Sequence, residues 1–200
     1  MIDRPTLPTI QATRISLGWM MQRDIESIYR IFSDPEVMRY WSSPPLADRE
    51  AAARLLTEIQ DGFLHGTLFQ WGIALNSDDT IIGTSTLFHL DESNRRVEIG
   101  YALSRAHWGH GYAGEALCAL LSFAFGELNL NRIEADVDPR NLASIRTLER
   151  LGFQREGYLR DRWLVAGESQ DSVFYGLLRK EWDTSAQGIN RGVVNPRDGA

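Results

Sequence analysis

A turn with three glycines in six residues constrains this chain more than any other feature. The turn, Gly109–Gly114, follows a segment of alternating apolar and polar residues, Val97–Leu103, and precedes an apolar run that extends to Leu128. The alternation predicts a strand and the apolar run predicts a helix. Because glycine has no Cβ, successive backbone N–H groups can close around an anion, where the positive end of the helix dipole also lies. The stretch therefore predicts a phosphate-binding turn.

The remaining hydrophobic patterns predict one mixed α/β (α+β) domain. They indicate a strand, two helices, three strands, a helix, a strand, a helix and two strands, at about 13–19, 22–32, 48–63, 69–75, 80–90, 95–103, 112–128, 132–137, 141–151, 153–165 and 170–178. Short polar connections between consecutive strands predict antiparallel hairpins. We expect an N-terminal arm at residues 1–11, the domain at 12–182 and a polar, disordered C-terminal tail at 183–200.

Charge and cysteine content exclude several classes of protein. The net charge of −6 and the lack of a basic block argue against nucleic-acid binding. The single cysteine, Cys118, rules out an internal disulfide and suits a reducing compartment. No apolar run approaches membrane-spanning length, so we expect a cytoplasmic protein. We expect it to be a monomer or a homodimer. His65, His89 and His107 lack metal-ligand spacing with one another or with Cys118, which predicts no metal.

The glycine turn also matches the G-x-G-x-x-G fingerprint of dinucleotide-binding proteins. Glu134, about twenty residues further on, stands where a ribose-binding acid is expected. Three features oppose this interpretation. Residues Ser104–Trp108 separate the strand from the glycines, the strand carries Arg95 and Arg96, and hairpin-linked strands precede the turn instead of a βαβ series. An NAD(P)-binding oxidoreductase is therefore a remote alternative.

Segments along the chain resemble the motifs of one enzyme family, in the family's order. Val97–Gly114 resembles the acyl-CoA-binding motif of the GNAT superfamily of N-acetyltransferases, a strand followed by Q/R-x-x-G-x-G/A and a helix. Asn141–Phe153 resembles the N-x-x-S-x-x-x-x-E-K-x-G-F helix of the RimJ/RimL-like branch. Arg155–Arg160 and Ser172–Trp182 resemble the closing hairpin of that branch, and Ser33–Tyr40 resembles the exit of its first helix.

The resemblance spans residues 12–182 and implies a fold, a donor and a reaction. The implied GNAT fold is a central mixed, mostly antiparallel sheet of about seven strands with helices on both faces. The implied reaction is direct transfer of an acetyl group from acetyl-CoA to a primary amine within a ternary complex. The resemblance assigns the pyrophosphate of the coenzyme to the turn residues Gly109, His110, Gly111, Tyr112, Ala113 and Gly114.

Four polar residues are candidates for the chemistry. Glu98 is the first candidate for the general base, because alternation places it on the strand face opposite the apolar side chains and the family's strand glutamate stands there. Asp161 is the reserve base. Asn141 is a predicted helix N-cap and, by the resemblance, a contact to the pantetheine or acetyl end. Ser144 is a poor helix former and is the candidate acid for the leaving thiolate as well as a coenzyme contact.

Two positions depart from the family pattern. Ala106 stands where a glutamine or arginine is common, and Leu148 stands where many GNAT enzymes carry a tyrosine that protonates the thiolate. The second departure leaves Ser144 as the candidate acid. The resemblance also implies that the strand splays away from Arg132–Val137, so that backbone N–H groups near Gly100–Leu103 can polarise the thioester carbonyl.

The acceptor amine is the least constrained part of the prediction. The RimJ/RimL-like motifs favour the N-terminal amine of a protein, such as a ribosomal protein, and the alternative is a small-molecule amine or antibiotic. A non-catalytic CoA-binding module is a further alternative, which the presence of Glu98, Asn141 and Ser144 together opposes. Trp41 and Trp163 lie in segments that flank the acceptor side of such a fold, and both are candidates for an acceptor wall.

Overall fold

A computed structural model describes residues 5–184 of the chain. The strands are β1 Ile10–Gln11, β2 Ile15–Gly18, β3 Leu68–Leu75, β4 Ile81–Asp91, β5 Arg96–Leu103, β6 Arg132–Val137, β7 Gln154–Val165 and β8 Glu168–Leu178. The helices are α1 Ile25–Phe32, α2 Pro35–Met38, α3 Arg49–Leu64, α4 Tyr112–Gly126 and α5 Leu142–Arg150. Residues 179–184 are also helical.

All strands form one open sheet in the order β1-β2-β3-β4-β5-β6-β8-β7. Neighbouring strands pair antiparallel except β5 and β6, which are parallel. This confirms the predicted mixed, mostly antiparallel sheet, and the two-residue strand β1 is an addition to the segments that the sequence indicated. The parallel pair lies in the middle of the sheet, with α4 as the crossover between its strands, and it places the glycine turn beside the centre of the sheet.

Each face of the sheet is covered by its own group of helices. Helices α4 and α5 pack on one face against alternate residues of the central strands, among them Val97, Ile99 and Ile133. Helices α1, α2 and α3 pack on the other face, where Ala102 and Ile81 belong to the second apolar cluster. We call these the α4/α5 face and the α1/α3 face. Because strand side chains alternate, neighbouring residues of β5 point to opposite faces.

The part of the predicted N-terminal arm that the structure describes is attached to the domain. Leu7 is buried, and the carbonyl of Pro8 accepts a hydrogen bond of 2.9 Å from the indole of Trp71. Residues Ile10–Gln11 form β1. At the other end, residues 183 and 184 belong to the final helix, and the remainder of the predicted tail, 185–200, lies outside the described residues. None of the helices in the described range is long and apolar enough to cross a membrane.

Substitution of Gly83 by alanine tests the central strand pairing, because β4 and β5 approach too closely there for a side chain. A Cβ at Gly83 would lie 2.4 Å from the carbonyl oxygen of Ala102. Since that atom belongs to the backbone of β5, we expect Gly83→Ala to lower the free energy of unfolding by about 2 kcal/mol in urea titration. Gly18→Ala is the matched control, because a Cβ on that strand glycine meets nothing within 4 Å. Equal stabilities of the two variants would contradict the close approach.

Candidate active site

The central parallel strands separate after a short paired stretch. Strands β5 and β6 pair at Arg96 with Arg132, at Val97 with Ile133 and at Glu98 with Glu134. Beyond Glu98, β5 runs on to Leu103 and β6 runs on to Val137 with no further pairing between them in the described structure. The splay that the family resemblance implied is therefore present. It leaves the inner edge of β5 with backbone groups that no neighbouring strand occupies.

A cavity of about 340 Å³ lies at this splay and connects the two faces of the sheet. Its walls include Glu98 on the α1/α3 face, and Tyr101, Asn141 and Ser144 on the α4/α5 side. A second cavity, of about 260 Å³, is lined by Phe69, Val97 and Leu128 among others, and includes none of the predicted site residues. The splay cavity is thus the place where the predicted catalytic residues meet.

Glu98 reaches the cavity from the last paired position of β5. Its side chain is 14% exposed, and its Oε1 atom lies 3.1 Å from Nδ1 of His89 on the neighbouring strand. His89 has a positive φ of 52° and lies at the irregularity that interrupts the β4–β5 pairing between Phe88 and Asp91. This contact was not foreseen, because the strand irregularity that turns His89 toward Glu98 has no signal in the sequence.

Ser144 and Asn141 lie at the first turn of α5. The Oδ1 atom of Asn141 accepts a hydrogen bond of 3.1 Å from the backbone N–H of Ser144, which confirms the predicted N-cap. The Oγ atom of Ser144 lies 2.7 Å from the hydroxyl of Tyr101, a residue of β5 that sequence reasoning did not single out. Leu148 is fully buried in the apolar core, so it makes no contribution to the cavity.

The glycine turn adopts the open backbone that was predicted for it. Gly109 and Gly111 have φ angles of 78° and 81°, and Gly111 caps the N-terminus of α4. A Cβ on Gly109 or Gly114 would meet nothing within 4 Å, so the space in front of the turn is free. Helix geometry leaves the first N–H groups of α4 without intrahelical acceptors, so they are available to an anion. The turn therefore fits a bound phosphate group.

Arg14 braces the glycine turn, although nothing in the sequence links the two. Its Nε atom donates to Oε2 of Glu115 at 2.7 Å, and its Nη1 atom donates to the carbonyl of His110 at 3.0 Å. The guanidinium also lies 4.6 Å from the ring centre of Tyr112. Ala106 supplies no polar side chain at the turn, and a cation instead comes from Arg14, the residue that directly precedes β2. Arg14 is 96 residues away from His110 along the chain, which explains why pattern analysis missed it.

The charged residues in the cavity lining are all acidic within the described part of the chain. Asp136, Asp138 and Asp171 line it together with Glu98, and within the described residues the lining includes no lysine or arginine. Arg140 pairs with Asp138, and Arg162 approaches Asp136 at 3.4 Å from the rim. The tyrosine hydroxyl of Tyr158 and the N–H of Asp161 donate to Asp171 and hold the pKa of that carboxyl below its usual range. Asp136 and Asp138 are thus offset by arginines, whereas Glu98 and Asp171 form no salt bridge with an arginine or lysine of residues 5–184, so the cavity can accept a cation beside these two.

The other predicted site residues divide between the cavity and the surface. Trp41 and Trp163 both line the cavity, and Trp163 is 40% exposed. Asp161, the reserve base, lies exposed in the irregular part of β7 and is outside the lining. Gln70, Thr86 and the buried Ser172 hydroxyl line the cavity without having been predicted. Over residues 5–184, no three histidine, cysteine or acidic side chains converge as metal ligands.

Comparison with known proteins shows which family this fold and site represent. Residues 14–154 match the family model described as acetyltransferase (GNAT) domain. The chain is 39% identical over 176 residues to the uncharacterized N-acetyltransferase p20 of Bacillus licheniformis, a match that covers 88% of this chain and 99% of that protein. The fold and the site thus define an acyltransferase. The chain belongs to the GNAT family of N-acetyltransferases, whose acetyl donor is acetyl-CoA.

Solved structures agree with this assignment. The acetyltransferase (GNAT family) from Bacillus anthracis superposes with a TM-score of 0.78 at 25% identity, covering 87% of this chain and 100% of that one. The spermidine N-acetyltransferase from Vibrio cholerae, solved with CoA and spermine, superposes with a TM-score of 0.75 at 21% identity, covering 84% of this chain and 98% of that one. The second likeness supports the fold alone.

Proposed function

We propose that this enzyme transfers the acetyl group of acetyl-CoA directly to the primary amine of a small cationic acceptor. The observation that carries the proposal is that one cavity, at the β5–β6 splay, is lined both by Glu98 from one face of the sheet and by Ser144 from the other. Two reactants that enter from opposite faces can meet there without a covalent enzyme intermediate. Holding them together in this way removes much of the entropic barrier to a bimolecular reaction.

The donor is held by backbone groups more than by side chains. The turn from Gly109 to Gly114 presents N–H groups and the positive end of α4 to the pyrophosphate. The guanidinium of Arg14 fixes the carbonyl of His110 and so keeps this turn in shape. In this arrangement the acetyl end points into the splay, where the free edge of β5 near Gly100–Leu103 offers N–H groups to the thioester carbonyl.

The acceptor amine binds near Glu98. The carboxylate of Glu98 takes a proton from the amine, directly or through a water, so that the amine nitrogen can attack the thioester carbon. The C–N bond forms, the C–S bond breaks with its electron pair going to sulfur, and the thiolate is then protonated from the Ser144 side. Asn141 orients Ser144 through the N-cap hydrogen bond. The indole rings of Trp41 and Trp163 form the apolar part of the acceptor wall.

The acidic lining supports a small cationic acceptor. Glu98 and Asp171 attract an ammonium group, whereas Asp136 and Asp138 are already paired with Arg162 and Arg140. The volume of about 340 Å³ lies at the low end of the range of about 300–1,000 Å³ typical of small-ligand sites. The second candidate is the N-terminal amine of a protein. It is favoured by the RimJ/RimL-like sequence of Asn141–Phe153, and in that case the acceptor inserts its first residue only.

Ligand titration and turnover test this proposal on the wild-type chain. A hundredfold excess of acetyl-CoA over its Kd should stabilise the protein by about 2.7 kcal/mol, which raises Tm by roughly 5–10 °C. Release of the CoA thiol should then be fastest with small diamines and slower with peptides that carry a free N-terminus. Stabilisation by NAD(P)H and not by acetyl-CoA would refute acetyl transfer. Binding of acetyl-CoA without turnover on any amine would indicate a non-catalytic module.

A further inference from the structure

A tyrosine hydroxyl is hydrogen-bonded to Ser144, the residue proposed above to protonate the departing thiolate. The hydroxyl of Tyr101 and the Oγ atom of Ser144 are 2.7 Å apart, and both residues line the splay cavity. Tyr101 belongs to β5, the strand that carries Glu98, whereas Ser144 belongs to α5. The hydrogen bond therefore joins the strand and the helix at the mouth of the splay.

The surroundings of Tyr101 offer its hydroxyl few hydrogen-bond partners besides Ser144. The side chain is partly buried, and the neighbours of its hydroxyl on α5 are Ser144 and Thr147. Thr147 is engaged with the backbone, because its hydroxyl donates to the carbonyl of Ala143 at 2.9 Å, and the close partner of the Tyr101 hydroxyl is Ser144 at 2.7 Å. On the adjacent strand β4 the residue paired with Tyr101 is Ser85, which is uncharged. Burial raises the pKa of the Tyr101 phenol, which keeps it protonated at neutral pH.

Ser144 is a weak acid when it acts alone. An alkyl hydroxyl that gives its proton to a thiolate becomes an alkoxide, which is a far stronger base than the thiolate itself. A phenol is much more acidic than an alkyl hydroxyl, and a phenolate is correspondingly easier to form. A hydroxyl such as that of Ser144 can avoid the alkoxide only if it regains a proton as it gives one up. Within the described residues the hydrogen-bond partner of Ser144 Oγ is the Tyr101 hydroxyl, and this phenol can provide the proton.

We propose that Tyr101 supplies, through Ser144, the proton that the departing CoA thiolate receives. This inference rests on the proposed acetyl transfer and extends it by one residue. The Ser144 O–H bond breaks as the S–H bond forms, and the Tyr101 proton restores the Ser144 hydroxyl. Tyr101 is left as a phenolate and regains a proton from water after the products leave, while Glu98 loses its proton to water. Overall, one amine and one thioester give one amide and one thiol.

Tyr101→Phe tests the relay, because it removes the hydroxyl and keeps the ring. We expect kcat to fall by about 10- to 50-fold, below the full contribution of general acid catalysis because Ser144 remains. The KM for acetyl-CoA and the Kd of CoA should stay within about twofold, since the phenol acts on the proton and does not hold the coenzyme. Tyr175→Phe is the matched control: Tyr175 is also buried and donates to Glu149 of α5, at 3.1 Å, but lies outside the cavity.

The double variant separates a relay from two independent effects. Ser144→Ala should lower kcat to a similar degree with little change in Tm, and Tyr101→Phe combined with it should lower kcat no further, because both remove the same proton path. Wild-type kcat in Tyr101→Phe would overturn the relay, as would a rise in the Kd of CoA that matches the fall in kcat. Additive losses in the double variant would also overturn it. Failure of the proposed function is distinct, because then the wild-type chain itself transfers no acetyl group.

Discussion

Glu98→Gln should lower kcat/KM by about 100-fold or more, because an amide oxygen cannot accept the proton that the amine must lose. Glutamine keeps the size of the side chain and its contact to His89, which lies 3.1 Å from the carboxylate. The pH–rate profile of the variant should differ from that of the wild type, because solvent then has to accept the proton. Steady-state rates of CoA thiol release over a range of pH measure both effects.

Asp136→Asn is the matched control for the loss of charge. Asp136 lines the same cavity but belongs to β6, the other strand of the splayed pair. Its replacement by asparagine also removes one negative charge from the cavity. We expect this variant to raise the KM for a cationic acceptor and to keep the wild-type pH–rate profile. If Glu98→Gln instead shows a wild-type profile, the base is Asp161 or a water molecule, and Glu98 contributes only charge.

Gly109→Val should raise the Kd of CoA by about 100-fold. The φ of 78° at Gly109 lies in the left-handed region, which disfavours side-chain-bearing residues by about 1–2 kcal/mol, and β-branched residues most of all. Relief of that strain turns the N–H groups of the turn away from the phosphates. Each charge-assisted hydrogen bond that is lost contributes about 1.5–3 kcal/mol, and 1.4 kcal/mol is a tenfold change in affinity. Isothermal titration with CoA measures the change.

Gly66→Val distinguishes a lost binding turn from a general loss of stability. Gly66 has a φ of 69°, and a Cβ there would meet nothing within 4 Å, as at Gly109. It follows α3 and lies outside the splay cavity. Urea titration should show similar losses of unfolding free energy for the two variants, whereas only Gly109→Val should weaken CoA binding. Equal Kd values for CoA in both would contradict the assignment of the turn.

Local sequence patterns predicted much of the fold. The alternation in Val97–Leu103 predicted a strand that the structure confirms as β5, and the apolar run after the glycines predicted α4. The polar turns between strands correctly predicted the antiparallel pairs β3–β4 and β4–β5. The prediction missed one short helix: Pro35–Met38 follows directly after the predicted end of the first helix, with the proline in its first turn.

The sequence predicted the candidate site only in part. Glu98, Asn141 and Ser144 came from strand alternation, helix capping and the resemblance to GNAT motifs, and the structure places all three around one cavity. Their chemical roles stay predictions. His89 was missed because it meets Glu98 through an irregularity in its strand, and Arg14 because its partners are distant in the chain; local propensity describes neither.

The sequence by itself determined the glycine turn, because positive φ angles and free N–H groups depend on residues that are neighbours in the chain. It did not determine the splay. That opening depends on the length of the parallel pairing between strands that start 36 residues apart, Arg96 and Arg132, and such pairing is set by the packing of α4 and α5 on the sheet. Tertiary structure alone therefore decided that Tyr101 stands behind Ser144, that Arg14 braces the turn, and that four carboxylates line one cavity.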